Sequence, residues 1–167
     1  MPDYPNPFLT DNRQPLLVVE DSEVDFETLM RVLQRLSYQS PIYRVEDGDE
    51  ALDFLFHQGE YTDKRIAPRP ALILLDLNLP GTDGREVIAQ LKQNSSLKLI
   101  PIVVFTTSSN PQDVEFCYQH GANSYVLKPL KTQAFAESVK GLITYWLKNV
   151  VLPSSIDFSR SQTIGNR

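Results

Sequence analysis

Five short apolar runs punctuate the chain, separated by longer stretches in which apolar residues recur every three or four positions. The runs are Leu16–Val19 (LLVV), Ile42–Val45 (IYRV), Ala71–Leu75 (ALILL), Ile100–Phe105 (IPIVVF) and Tyr125–Leu127 (YVL). Three of them are continuous and rich in β-branched or long aliphatic residues, the pattern of strands covered on both faces. The intervening segments carry helical spacing. Ser22 is a candidate N-cap for a helix presenting Phe26, Leu29, Met30, Leu33 and Leu36. Asp47 or Asp49 opens a second helix with Ala51, Leu52, Leu55 and Phe56, and Thr82 or Asp83 a third with Val87, Ile88 and Leu91. Asn110-Pro111 reads as a cap followed by proline in the first turn, with Gly121 just past the end of that helix. Thr132 starts the last helix, which presents Phe135, Val139, Leu142, Ile143 and Trp146. Strand and helix alternate five times, which predicts a (βα)5 unit with a doubly wound parallel sheet and right-handed crossovers.

The two ends lack this patterning. Residues 1–14 contain Pro2, Pro5 and Pro7, and residues 153–167 are polar and serine-rich, so both are expected to be loosely held around a single domain over residues 15–152. The stretch from His57 to Arg69 (HQGEYTDKRIAPR) predicts a polar loop longer than a minimal unit of this kind needs. The 167 residues carry 16 Lys+Arg against 21 Asp+Glu, a net charge of −5. That balance argues against a nucleic-acid partner, which would select a basic stripe. No apolar run is long enough for a membrane span and no secretory leader is visible, while Cys117 stands alone; a cytoplasmic protein is expected.

The chemistry lies in the residues that end the strands. The first run stops at Glu20-Asp21, the third at Asp76, the fourth at Thr106-Thr107 and the fifth at Lys128-Pro129. In a doubly wound sheet the carboxyl ends of parallel strands share one edge, where ligands bind. Wet loops alone account for one or two such residues, but not for a lysine and clustered acids closing apolar strands. Held together, Glu20, Asp21 and Asp76 repel one another unless a cation sits among them, and an oxygen-rich set with one lysine suits Mg2+. An aspartate, ionised at neutral pH, needs no general base to attack phosphorus. Charge developed on a phosphoryl group at Asp76 would fall between the metal, the Lys128 ammonium and the Thr106 hydroxyl.

With these pieces in order, the chain from about Pro15 to Leu147 resembles the receiver domain of two-component response regulators. The matching motifs are LLVVEDS, LILLDLNLPGTDG, PIVVFTTSS and GANSYVLKP. The resemblance implies a flavodoxin-like fold with strand order 2-1-3-4-5. It implies Asp76 as phosphoacceptor and Mg2+ held by the side chains of Asp21 and Asp76 and by the backbone carbonyl of Asn78. Glu20 completes the acidic pair, directly or through a metal-bound water, where many members have a second Asp. Lys128 and Thr106 are implied to hold the phosphoryl oxygens, Tyr125 to turn inward as Thr106 moves, and the bond before Pro129 to be cis. Loop length, GANSY and the aromatic last helix resemble the stand-alone receivers paired with bacterial and cyanobacterial phytochromes. The implied partner is therefore a phytochrome-like sensor histidine kinase.

The 15 residues after Leu152 are too few for an output domain, so signalling is expected through altered protein–protein contacts. Tyr145, Leu147, Val150, Val151 and Leu152 exceed what one buried helix face needs, which predicts a homodimer built on the last helix with help from Phe116 and Tyr118. His57, His120, Glu23, Asp25 and Glu27 are expected to be solvated, and Cys117 to be a plain helix residue. Three other functions compete. An aspartate-nucleophile phosphatase needs an acid two residues after its nucleophile, where this chain has Asn78. A flavodoxin-like cofactor binder needs a first loop that cradles phosphate, where this one is acidic. An interaction module with a vestigial pocket would show no Mg2+-dependent labelling.

Overall fold

The computed structural model describes residues 14–153. Five parallel strands, β1 (Leu16–Val19), β2 (Ile42–Val45), β3 (Leu72–Leu75), β4 (Ile102–Thr106) and β5 (Ser124–Leu127), form one sheet in the order β2-β1-β3-β4-β5. Alternation splits the strands between two cores. Leu17, Val19, Ile73, Leu75, Ile102 and Val104 point to one face, and Leu16, Val18, Leu72, Leu74, Val103 and Phe105 to the other. The first face is covered by α2 (Gly48–Phe56), α3 (Gly84–Gln93) and α4 (Pro111–Gln119), the second by α1 (Glu23–Arg35) and α5 (Thr132–Thr144). The central strands are buried along their whole length, as their unbroken apolar runs require. β4 begins at Ile102 because Pro101 has no N–H to give the ladder; its carbonyl instead accepts from Ile73 N at 3.0 Å.

Four helices start on a side-chain cap at the carboxyl edge of the sheet. Ser22 accepts from the Asp25 amide, Asp47 from Glu50, Asp83 from Arg85 and Asn110 from Gln112. Asp47 and Asp83, rather than Asp49 and Thr82, are thus the caps of α2 and α3. α5 follows Lys131, whose side chain caps nothing. Past α5, one wider turn over Tyr145–Asn149 turns Leu147 inward, and Leu152 is fully buried beyond it. The last segment therefore covers its own domain with two of the five residues expected on the surface; Tyr145 and Val151 stay exposed.

The His57–Arg69 stretch is more firmly tied than a solvated loop. Tyr61 packs on Phe54 at 5.1 Å between ring centroids, Ala67 is fully buried, and Arg69 donates to the Ser96 hydroxyl and carbonyl. His57 and His120 are half-buried and bonded to the carbonyls of Ala67 and Phe116, which corrects the reading of both as solvated. Gln14, placed in the loose N-terminal segment, donates to Ser40 at 2.9 Å. The remaining expectations for the two ends, over residues 1–13 and 154–167, lie outside the described residues.

Candidate functional site

β1, β3, β4 and β5 end side by side, and parallel pairing brings their last residues to one edge: Val19 lies beside Leu75, Leu75 beside Val104, and Thr106 beside Leu127. The residues that follow converge from there. Glu20 and Asp76 are buried and Asp21 is exposed, and one carboxylate oxygen from each lies within 4.8 Å of the others. Lys128, 7% exposed, reaches in from the end of β5. Its ammonium donates to Glu20 Oε2 at 2.5 Å, Asp25 Oδ2 at 2.8 Å and Asp76 Oδ2 at 2.9 Å, 5.8 Å from the centre of the Phe105 ring. Backbone amides supply further donors: Ser22 N to Glu20 Oε1 at 3.0 Å, and Asn78 N to Asp76 Oδ1 at 3.2 Å.

Electrostatics follow from that packing. Burial works against the Lys128 ammonium, yet hydrogen bonds to Asp25, Glu20 and Asp76 outweigh it and hold the amine well above its ordinary pKa. Burial pushes the Glu20 carboxyl up, against the pull of Lys128. Three carboxylates (Glu20, Asp25 and Asp76) thus share one ammonium, and an overlapping three (Glu20, Asp21 and Asp76) are spaced to bind a single ion. A hard divalent cation fits this set: all donors are oxygens, and Mg2+ takes one or two carboxylates and keeps several waters.

Thr106 is fully buried at the end of β4, and its carbonyl accepts from Lys128 N at 2.8 Å. Its hydroxyl is 3.4 Å from the Ser108 amide, which donates to it. Tyr125 is half-buried against the core beneath α4 and donates its hydroxyl to the Ser108 carbonyl at 2.8 Å. Ser108 Oγ donates to Asp113 Oδ2 at 2.5 Å, and Arg85 binds both oxygens of Asp113 at 2.6 and 2.8 Å. Among the described residues, neither Thr106 nor Tyr125 is hydrogen-bonded to Glu20, Asp21 or Asp76; the two are joined to each other through Ser108. The bond before Pro129 is trans, against the expected cis form, and no described peptide bond is cis. Trans is the lower-energy isomer of X-Pro by about 0.5–1 kcal/mol, and Lys128 reaches all three carboxylates from it.

Sequence reasoning missed Asp25, set aside as a solvated helix-start charge. The readable signal was its place three residues after the Ser22 cap, in a first turn that rises from the carboxyl edge of β1. Gly84, also unremarked, lets α3 approach the site: a Cβ there would lie 2.5 Å from the Asp76 carbonyl oxygen.

A doubly wound parallel sheet in this strand order, with acids and a lysine converging at its carboxyl edge, defines a flavodoxin-like fold with a candidate divalent-cation site. Comparison with known proteins narrows this. The chain belongs to the response regulator receiver domain family, whose profile matches residues 16–140. It is 42% identical over 150 residues to response regulator Rcp1 of Synechocystis sp., covering 88% of this chain and 100% of that one. The crystal structure of the Mn2+-bound form of Rcp1 superposes with a TM-score of 0.79 at 44% identity, over 84% of this chain and 99% of the other. The phosphorylated cyanobacterial phytochrome response regulator RcpA superposes with a TM-score of 0.80 at 38% identity, with coverage of 84% and 99%. No helix among the described residues is long and apolar enough to cross a membrane.

Proposed function

We propose that the chain accepts a phosphoryl group on Asp76 from the phosphohistidine of a phytochrome-type sensor kinase, with Mg2+ bound, and signals by changing its protein contacts in the cytoplasm. The observation that carries this is the Lys128 ammonium set among Glu20, Asp25 and Asp76, beside three carboxylates that converge on one point. In the transfer, an Asp76 oxygen attacks phosphorus; the P–O bond forms as the P–N bond breaks, and the released imidazole nitrogen takes up a solvent proton. Asp21, Asp76 and the Asn78 carbonyl would hold the ion, with Glu20 ligating it directly or through water. Bound there, Mg2+ would neutralise charge on the phosphoryl oxygens. Lys128 moves from a bond with the free Asp76 carboxylate to the new phosphoryl oxygens. Thr106 gives its hydroxyl to the same group and lets go of the Ser108 amide. Because Ser108 also holds Tyr125, the tyrosine is released or re-seated in the same event, which alters the surface of α4, β5 and α5.

A homodimer through that surface is part of the proposal. Tyr118, Leu127 and Tyr145 stand 50%, 48% and 56% exposed on α4, on the edge strand β5 and just past α5. The test of phosphoryl acceptance is intact-mass measurement after incubation with acetyl phosphate and Mg2+, then with a phytochrome-type kinase and ATP. The wild type should gain one phosphoryl mass and Asp76→Asn none; an equal gain in the variant overturns the assignment. Sedimentation at micromolar concentration tests the dimer, and a monomer in both phosphorylation states refutes it.

A further inference from the structure

Arg44 is out of place as an apolar-core strand residue. It lies on the edge strand β2, on the sheet face of Ile42 that α1 and α5 cover, yet it carries a charge into a setting that leaves its side chain only 16% exposed. Its guanidinium carbon lies over the Phe26 ring of α1, 4.5 Å from the centroid. From there it turns to the loop between β1 and α1. Nε donates to the Glu20 carbonyl at 3.1 Å and Nη2 to the Asp21 carbonyl at 3.5 Å, while Nη1 meets Glu23 at 2.5 Å and Nη2 meets Glu46 at 3.1 Å.

The two carbonyls belong to the two peptide units that flank the Asp21 Cα. Holding both planes fixes φ and ψ of Asp21, and with them the direction in which its Cβ leaves the backbone. That matters because Asp21 is exposed and, among the described residues, no hydrogen bond holds its carboxylate, whereas Lys128 and backbone amides hold those of Glu20 and Asp76. We infer that Arg44 is a positioning residue for divalent-ion binding: it sets Asp21 toward Glu20 and Asp76 by clamping the peptide units on either side of it. This rests on the proposed reading of the acids as a metal site.

Charge and geometry predict opposite outcomes. A guanidinium near a divalent site repels the ion, so on charge alone its removal tightens binding. Positioning wins here, because Glu23 and Glu46 already balance the charge; Glu20 Oε1 also holds the Ser22 amide after Asp21 at 3.0 Å, but among the described residues only Arg44 bonds to both peptide units that flank Asp21. Lysine keeps the charge but has a compact head that cannot both cover Phe26 and fork to two carbonyls. Methionine keeps an apolar stem against Phe26 without any donor.

The experiment is Mn2+ titration of the full chain by calorimetry, below the melting temperature, for wild type, Arg44→Lys and Arg44→Met. Both variants should bind about tenfold more weakly, the low end for a residue that supports metal ligands from behind. The Mg2+ concentration for half-maximal phosphorylation by acetyl phosphate should rise by the same factor, with the rate at saturating Mg2+ unchanged. A purely structural role would lower the melting temperature in chelator and leave the affinity of the folded protein as it was. Unchanged affinity in both variants, or Lys equal to wild type with Met tighter, overturns the inference alone. A wild type that binds no Mn2+ removes the metal reading, and this inference with it.

Discussion

Replacing Lys128 with methionine tests the whole arrangement, because it deletes one cation from among three carboxylates. At an effective dielectric near 20, each contact of 2.5–2.9 Å is worth about 6 kcal/mol before desolvation is charged against it. That gross figure is not what a variant loses. Removing one partner of a buried ion pair costs about 3–5 kcal/mol, since the other charge is left buried and unpaired. Here Glu20 and Asp76 side chains are 7% and 8% exposed, while Asp25 at 28% is partly solvated by water. The low end applies: a loss of about 3 kcal/mol in chelator at neutral pH, or roughly 6–12 °C in melting temperature for a chain of this size. The assay is a thermal melt of both proteins in EDTA and in saturating Mg2+. The deficit should shrink in Mg2+, because a divalent charge among the acids substitutes for the missing ammonium and binds the variant more tightly. A variant that melts within 2 °C of wild type in EDTA would show that the acids do not crowd the ammonium, and the site as described would fall.

Further outcomes follow from the same packing. Gly84→Ala should destabilise the fold by about 3 kcal/mol in urea titration, because its methyl would meet Asp76 O at 2.5 Å and Leu77 Cα at 2.7 Å, both backbone atoms that cannot swing away; an effect under about 1 kcal/mol would mean that α3 can retreat. Burial pushes the Cys117 thiol up to about 11, so between its ordinary value and that one the folded thiol stays protonated while an unfolded one ionises. Iodoacetamide should therefore label folded protein slowly at pH 9.5, and the stability contributed by this group, complete below about pH 9, should be lost as pH rises toward 11. Rapid labelling of folded protein at that pH would contradict the burial.

What the chain reveals on its own divides along physical lines. The parallel sheet and its cores were legible because LLVV, ALILL and IPIVVF are buried on both faces, so their identity is set by burial and not by neighbours in sequence, while the strand order came from the family resemblance. Glu20, Asp21, Asp76, Thr106 and Lys128 were legible for a related reason: a charge or hydroxyl at the end of such a run has to lie at the carboxyl edge. Asp25 was not, because an acid in a first helical turn is favoured by the helix dipole anyway, and only the reach of Lys128 across the edge separates the two roles. Arg44 was hidden because an edge strand tolerates charge, so its pattern IYRV looks ordinary until α1 is packed over it. Leu147 and Leu152 were misplaced because a single wider turn changes which residues face inward, and periodicity assumes that the turn does not change.

The uneven capping of the helices bears on how cheaply each can fray. The starts of α1, α2, α3 and α4 are stapled by Ser22, Asp47, Asp83 and Asn110, each fixing a free amide; that of α5 has no such staple and follows Leu130, which is 99% exposed. With an N-cap worth about 1 kcal/mol, the opening turn of α5 unravels several times more often than its counterparts. Deuterium should enter those amides first. The segment that follows Lys128 directly is thus the one whose unwinding is least expensive, so a small pull on that lysine meets little resistance from the chain behind it.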